Sequence, residues 1–210
     1  MALQRVREHV NPLAKCYQTP QPVPHWPDIF ADFSLPLHID IGCAKGRFIQ
    51  QLAGLDPRWN YLGLEIREPL VIAGNEWRDA QQLGNLHHLF CNANNTLRPI
   101  VASLPPNRLQ RVSIQFPDPW FKQKHRKRRV VQLPLVQDLA DFMPSGSLLF
   151  IQSDILDVAT EMRDRFAANG VFTPQATDWM PINPMPLPTE REVSVLQKGE
   201  PVYRMSFVRQ

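Results

Sequence analysis

The chain of 210 residues is 43% apolar and 20% charged, enough for one domain with a full core and unlike a disordered chain. Its 23 Lys and Arg against 20 Asp and Glu give +3, yet six of those cations fall between Lys122 and Arg129, and without that window the balance is 17 to 20, or −3. A single basic segment on a mildly acidic body is where an anionic partner would bind.

Proline is abundant, with 21 residues against nine glycines, and clusters at 20–27 and 181–188, where it predicts stiff extended segments lying on a domain. Residues 1–36 read as an N-terminal extended Pro-rich segment and residues 37–210 as the domain that follows. Cys16, Cys43 and Cys91 are odd in number and contain no CxxC pair, which fits a reducing cytoplasm and thiols used for packing. Arg5, Arg7 and Glu8 have no apolar run behind them, and nowhere does the chain approach 18 consecutive apolar residues, so neither export nor membrane spanning is expected. His9, His25, His38, His87, His88 and His125 show no ligand spacing with acids or cysteines, so no metal is expected.

Strand and helix patterns alternate from Leu37 onward. Residues 37–41 form a short β-branched run bounded by Gly42, and 47–53 then carry helical spacing through Phe48, Ile49 and Leu52. A second strand over 61–66 precedes a helix over 68–83, and a third over 88–91 runs into Asn92. The fourth, 111–116, ends at a Pro-Asp-Pro break; a helix with Val131, Leu135 and Leu139 on one side follows, then a strand over 147–152 and a helix over 155–168. Residues 202–208 alternate, with Tyr203, Met205 and Phe207 on one face and Arg204 and Ser206 on the other, which predicts a final strand closing the sheet. This order predicts a doubly wound parallel sheet whose ligands bind beyond the carboxyl ends of the strands.

The residues at those ends carry the chemistry. Gly42 and Gly46 let the backbone turn sharply beside a ligand, but the dinucleotide spacing GxGxxG is absent. The acid Asp40 would repel a pyrophosphate and attract an ammonium or sulfonium, and S-adenosylmethionine carries both. Glu65 is placed to accept from a ribose diol and Asn92 to meet an adenine edge. Prolines on both sides hold Asp118 at the rim of the fourth strand, Trp120 offers a flat face to a base, and the block from Lys122 to Arg129 matches an RNA backbone.

Asp-Ile-Gly-Cys-Ala-Lys-Gly at 40–46, Gly-Leu-Glu at 63–65 and above all Phe-Pro-Asp-Pro-Trp at 116–120 with its basic block resemble the tRNA (guanine-N7)-methyltransferases of the TrmB type. Gln152-Ser153-Asp154 and Thr189-Glu190-Arg191-Glu192 resemble that family's acid after the fifth strand and its late Thr-x-x-Glu motif. The resemblance covers roughly 37–208, and the run 7–13 is also similar. It implies a Rossmann-like class I S-adenosylmethionine-dependent fold with a mostly parallel seven-stranded doubly wound sheet. It also implies methyl transfer to N7 of a guanosine in the variable loop of tRNA.

On this reading Asp40, Gly42, Gly46, Glu65, Asn92 and Asp118 hold the cofactor and Asp118 is catalytic. Lys122, Asp154, Thr189 and Glu192 bind the substrate nucleotide, and Lys124, Arg126, Lys127, Arg128 and Arg129 bind phosphates. Two positions depart from the family pattern. Ala44 replaces a glycine and is expected to need a negative φ or a displaced loop, and Arg191 stands where an aromatic is usual. Guanine N7 carries a lone pair and no proton, so alignment and charge suffice, without a covalent nucleophile. Methylation of another RNA base or an amine is the nearest alternative, ahead of an NAD-dependent oxidoreductase or a non-catalytic RNA-binding module. Monomer and homodimer both remain open.

Overall fold

Strands β1 (Leu37–Ile41) and β2 (Asn60–Glu65) are buried at every position, as strands covered by helices on both faces must be. A computed structural model describes residues 10–210; Arg5, Arg7, Glu8 and His9 lie outside the described residues. The remaining strands are β3 (Leu86–Phe90), β4 (Leu109–Gln115), β5 (Leu148–Ser153), β6 (Phe172–Pro174) and β7 (Tyr203–Arg209). They form a sheet in the order β3-β2-β1-β4-β5-β7-β6, with β7 antiparallel to both of its neighbours. Strand order reverses between β1 and β4, the place where a doubly wound sheet opens a crevice for ligands.

The helices are α1 (Trp26–Ile29), α2 (Arg47–Leu55), α3 (Glu68–Ala80), α4 (Ala93–Ala102), α5 (Leu133–Phe142), α6 (Leu156–Ala168) and α7 (Glu190–Gln197). Several boundaries differ from the sequence reading. β3 begins two residues before His88 and stops short of Cys91, β4 and β5 are displaced by a residue or two, and Val131 is buried ahead of α5 instead of within it. α4 has no counterpart in that reading, because Asn94, Asn95 and the internal Pro99 obscure its period; Asn92 caps it, and Thr96, Leu97, Ile100 and Val101 form its buried side. The final strand does not close the sheet. β7 inserts between β5 and the three-residue β6, which is too short to signal itself.

The N-terminal proline cluster does not stay extended either. It ends in the single turn of α1, where Trp26 stacks with Phe30 and Phe33 at ring separations of 6.3 and 5.6 Å, and Trp26 and Phe30 join the main core. The 181–188 segment runs without regular structure and pins Met185 into a second core with Phe48, Tyr61 and Phe150.

The two faces of the sheet differ in chemistry. Ile39, Leu64, Val112, Ile114, Ile151, Met205 and Phe207 make one face fully apolar. On the other, the register aligns Asp40 with Ser113, Ser113 with Phe150 and Phe150 with Ser206, and toward the carboxyl ends a polar row crosses four strands. Gln115 Nε2 reaches Asp40 at 3.4 Å, and Gln152 Nε2 donates to Gln115 Oε1 at 2.9 Å and to Glu192 Oε2 at 3.1 Å. Arg204 Nη2 donates to Glu192 Oε1 at 2.9 Å, while Arg204 Nη1 donates to the Pro181 carbonyl at 2.8 Å. Both partners of this ion pair are buried, Arg204 at 4% exposure and Glu192 at 2%.

Removing one member of a buried pair strands the other charge, at a cost of about 3–5 kcal/mol. Arg204→Met is therefore expected to lower the unfolding free energy by about that amount, and Arg204→Met with Glu192→Gln to lower it less, as read from urea denaturation.

Candidate active site

The loop after β1 turns through three left-handed residues, Gly42 at φ +81°, Ala44 at +52° and Gly46 at +72°. A Cβ on Gly46 would stand 2.0 Å from His88 Nε2, so this glycine answers both a backbone and a packing demand. Ala44 does not take the negative φ that the sequence reading gave as one of its two alternatives. It keeps the glycine geometry at a strain of roughly 1–2 kcal/mol, and its N–H donates to Glu65 Oε2 at 2.8 Å.

Asp40 is 4% exposed. Ser113 Oγ donates to its Oδ1 at 2.5 Å, and His38 Nε2 lies 2.8 Å from that same Oγ. Burial depresses the His38 pKa well below the usual imidazole range, so a neutral ring donates to Ser113 and the chain of donors points toward Asp40. Burial raises the Asp40 carboxyl to about 6, the Ser113 and Gln115 bonds oppose that rise, and the nearby Glu65 adds to it. Among the described residues the groups that act on Asp40 are Ser113, Gln115 and Glu65, two uncharged donors and an acid, so a positive charge beside it would be stabilised. A sulfonium or ammonium beside it fits this donor set.

Glu65, at the end of β2, accepts from Arg67 N at 2.9 Å and from its guanidinium at 2.8 and 3.1 Å, besides Ala44 N. Hydrogen bonding to Glu65 holds the Arg67 pKa up, and the charge of Asp118 adds to it, which places Arg67 electrostatically between the acids of β2 and β4. Sequence reasoning missed Arg67. Asn92 is engaged differently from the expectation: its Oδ1 accepts from Asn94 N, and its Nδ2 donates to the Pro12 and Tyr17 carbonyls at 3.0 and 3.2 Å, tying the N-terminal segment to the rim.

Asp118 lies between two bends. Phe116 at φ +49° and Trp120 at +43° are left-handed non-glycine residues on either side of Pro117-Asp118-Pro119, strain of the kind concentrated at functional sites. Three contacts hold this loop: Phe116 N donates to the Gln152 carbonyl at 2.8 Å, Arg129 Nε donates to the Pro119 carbonyl at 2.8 Å, and Arg128 sits 4.9 Å over the Trp120 ring. Arg128 thus covers one face of the half-buried Trp120 ring, a contact the sequence reading did not foresee. The basic block is also divided. Lys122, Lys124 and Lys127 are exposed, Arg126 pairs with Asp157, and Arg129, 5% exposed, pairs with Asp157 and Glu161 on α6. Arg129 is an internal anchor, not a cation available to phosphate, because two carboxylates and a carbonyl already take its donors.

At the same carboxyl-end rim, Thr189 Oγ1 accepts from Glu192 N at 3.1 Å and so caps α7. Glu190, Arg191 and Glu192 each pair with a different element: Arg47 at the start of α2, Asp154 after β5, and Arg204 of β7. Arg191 thus neutralises Asp154, and Glu192 has both oxygens committed to Arg204, Gln152 and Asn183. The isolated Arg204 inside a strand was the sequence signal for this clamp. Cys43 and Cys91 are buried, and burial pushes the Cys91 thiol up to about 12, so neither serves as a nucleophile. Among the described residues no cluster of His, Cys, Asp or Glu could hold a metal, and no helix is long and apolar enough to cross a membrane.

Solved structures share this architecture: a precorrin-6y C5,15-methyltransferase from Geobacter metallireducens matches with a TM-score of 0.55 at 14% identity over 84% of this chain and 81% of that one. A geranyl diphosphate C-methyltransferase from Streptomyces coelicolor, solved with S-adenosyl-L-homocysteine, matches at 0.54 and 12% identity over 83% and 73%. These likenesses establish the class I methyltransferase fold. A family model described as "Putative methyltransferase" matches residues 34–205. The chain is 56% identical to the tRNA (guanine-N(7)-)-methyltransferase of Trichormus variabilis over 98% of its length and 96% of that protein's. It is 54% identical to that of Synechococcus elongatus over 100% and 99%, respectively. By these matches along nearly its whole length, the chain belongs to the tRNA (guanine-N7)-methyltransferase family.

Proposed function

We propose that the protein transfers a methyl group from S-adenosylmethionine to N7 of a guanosine in tRNA, with Asp118 as the residue that meets both. The observation that carries this is the convergence of Asp40, Glu65 and Asp118 on one rim, beside exposed lysines that follow Asp118 within nine residues. The bound cofactor supplies an electrophilic methyl on a sulfonium, which the guanine N7 lone pair takes as the carbon–sulfur bond breaks. Asp40 offsets the cofactor's positive charge, and Glu65 receives its ribose when the Arg67 guanidinium gives up one of its contacts. Asp118 accepts from the guanine edge, directs N7 toward the methyl, and stabilises the cationic product. Asp154, Thr189 and Glu192 shape the guanosine side. Of these, Thr189 retains a hydroxyl proton to donate, while Glu192 acts by holding α7 in place. Lys122, Lys124 and Lys127 meet phosphates, with Arg126 and Arg128 at the edge of that patch. The site of action is the cytoplasm, where tRNA and reduced cysteines coexist.

Mass analysis of tRNA nucleosides after incubation with S-adenosylmethionine is expected to show 7-methylguanosine; methylated adenine alone would overturn the reading. Asp118→Ala is expected to lower kcat about a hundredfold or more with tRNA retention intact. Lys127→Ala should instead weaken tRNA binding and reduce its salt slope by roughly one unit. Arg129→Ala should differ from both, lowering stability because the Pro119 carbonyl and Asp157 lose a donor, while Glu161 keeps Arg165.

Asp40 adds a pH dependence. Its carboxylate is the form that attracts the cofactor, so affinity is present above about pH 6 and lost as pH falls through that value. Calorimetry at pH 5 is expected to give binding about tenfold weaker than at pH 7.5, and Asp40→Asn should flatten the profile.

A further inference from the structure

Phe121 follows the Pro-Asp-Pro-Trp loop directly and is 72% exposed. Leaving a ring of that size in water forgoes roughly 1.5–3 kcal/mol of burial. Only one other aromatic is among the exposed large apolar side chains of the described residues, Trp77 at 38% on α3. The contrast with Trp120 is local. Trp120 takes the left-handed backbone at φ +43° and turns its ring under Arg128, with His125 edge-on at 5.8 Å, so that the next residue faces outward. The side chains that follow Phe121 in the loop include Lys122, Lys124 and Lys127, all exposed.

We infer that Phe121 is a stacking platform for one unpaired base of the tRNA, next to the guanosine that Asp118 receives. An exposed aromatic flanked by exposed lysines is the arrangement that takes single-stranded nucleic acid, the ring stacking on a base while the ammonium groups track its phosphates. Two residues separate Phe121 from Asp118, a reach of at most about 11 Å, so the stacked base is an immediate neighbour of the target and not a distant part of the tRNA. Stacking there replaces the contact that the neighbouring base loses when the target guanosine leaves the stack. Trp120 and Arg128 form the rigid floor under this platform, because their mutual contact fixes where Phe121 points.

The inference rests on the proposed tRNA substrate, and the two fail differently: without that substrate the wild-type protein itself methylates no tRNA. Given wild-type activity, Phe121→Ala is expected to raise KM for tRNA about tenfold or more, with S-adenosylmethionine affinity and urea midpoint unchanged. Phe121→Tyr should restore the wild-type KM, and Phe121→Leu, apolar but without a π face, should behave like the alanine variant. In Phe121→Trp, tRNA addition should quench fluorescence beyond the change seen in wild type. Wild-type KM in Phe121→Ala, or full rescue by leucine, would overturn the stacking platform; the latter would point to a non-aromatic apolar contact.

Discussion

The polar row under the rim sets the terms for the rest of the molecule. Asp40, Gln115, Gln152, Arg204 and Glu192 come from β1, β4, β5, β7 and α7, and each is buried or partly buried with its partner on the next element. A slip of any one strand would leave a charge or an amide unpaired in the interior, where such a group costs about 1–3 kcal/mol or more. The row therefore fixes register, and it places the cofactor-side carboxylate and α7 in one rigid frame. It includes one unresolved cost. Raising the Asp40 carboxyl from 3.8 to about 6 means that its ionised form destabilises the free protein by roughly 3 kcal/mol above pH 6, a contribution that is absent below the unfolded value. A cation seated beside Asp40 would relieve that cost, and part of its binding energy would then be stored in the fold beforehand.

Strain and anchoring divide the work on the substrate side. Phe116 and Trp120 bend the chain on both sides of Asp118, and the bends persist because Gln152, Arg128 and Arg129 hold them from outside the loop. The basic block thus contains two kinds of cation. Those with carboxylate partners on α6 hold the loop in place, and Lys122, Lys124 and Lys127 stay in water.

Much of this was legible beforehand, for identifiable reasons. β1 and β2 showed as short runs with apolar residues at alternate positions, and Asp40 and Glu65 stood out within them near their carboxyl ends. Pro117 and Pro119 declared the rigid loop at sequence level. What stayed hidden depends on partners far away in the chain. Nothing local to Ala44 says that Glu65 holds it left-handed, and nothing local to Arg129 reveals Asp157 and Glu161. Asn92 stood out as a polar residue at a strand end, and the sequence did not show that its amide also caps α4 and binds the N-terminal carbonyls. α4 itself was masked by Pro99, and β6 by its length of three residues.

The placement of β7 has a temporal side. This strand is translated after β1 to β6 and α7, yet it lies inside the sheet, between β5 and β6. Until Arg204 has left the ribosome, Glu192 lacks its cation, the Pro181 carbonyl lacks its donor, and the edge of β5 is open. A nascent chain can thus complete Asp40, Glu65 and Asp118 while the guanosine side stays unassembled. The fold leaves α7 without its buried anchor until synthesis has passed β7, so partial chains would carry the strand-end acids without the clamp that fixes α7 beside them.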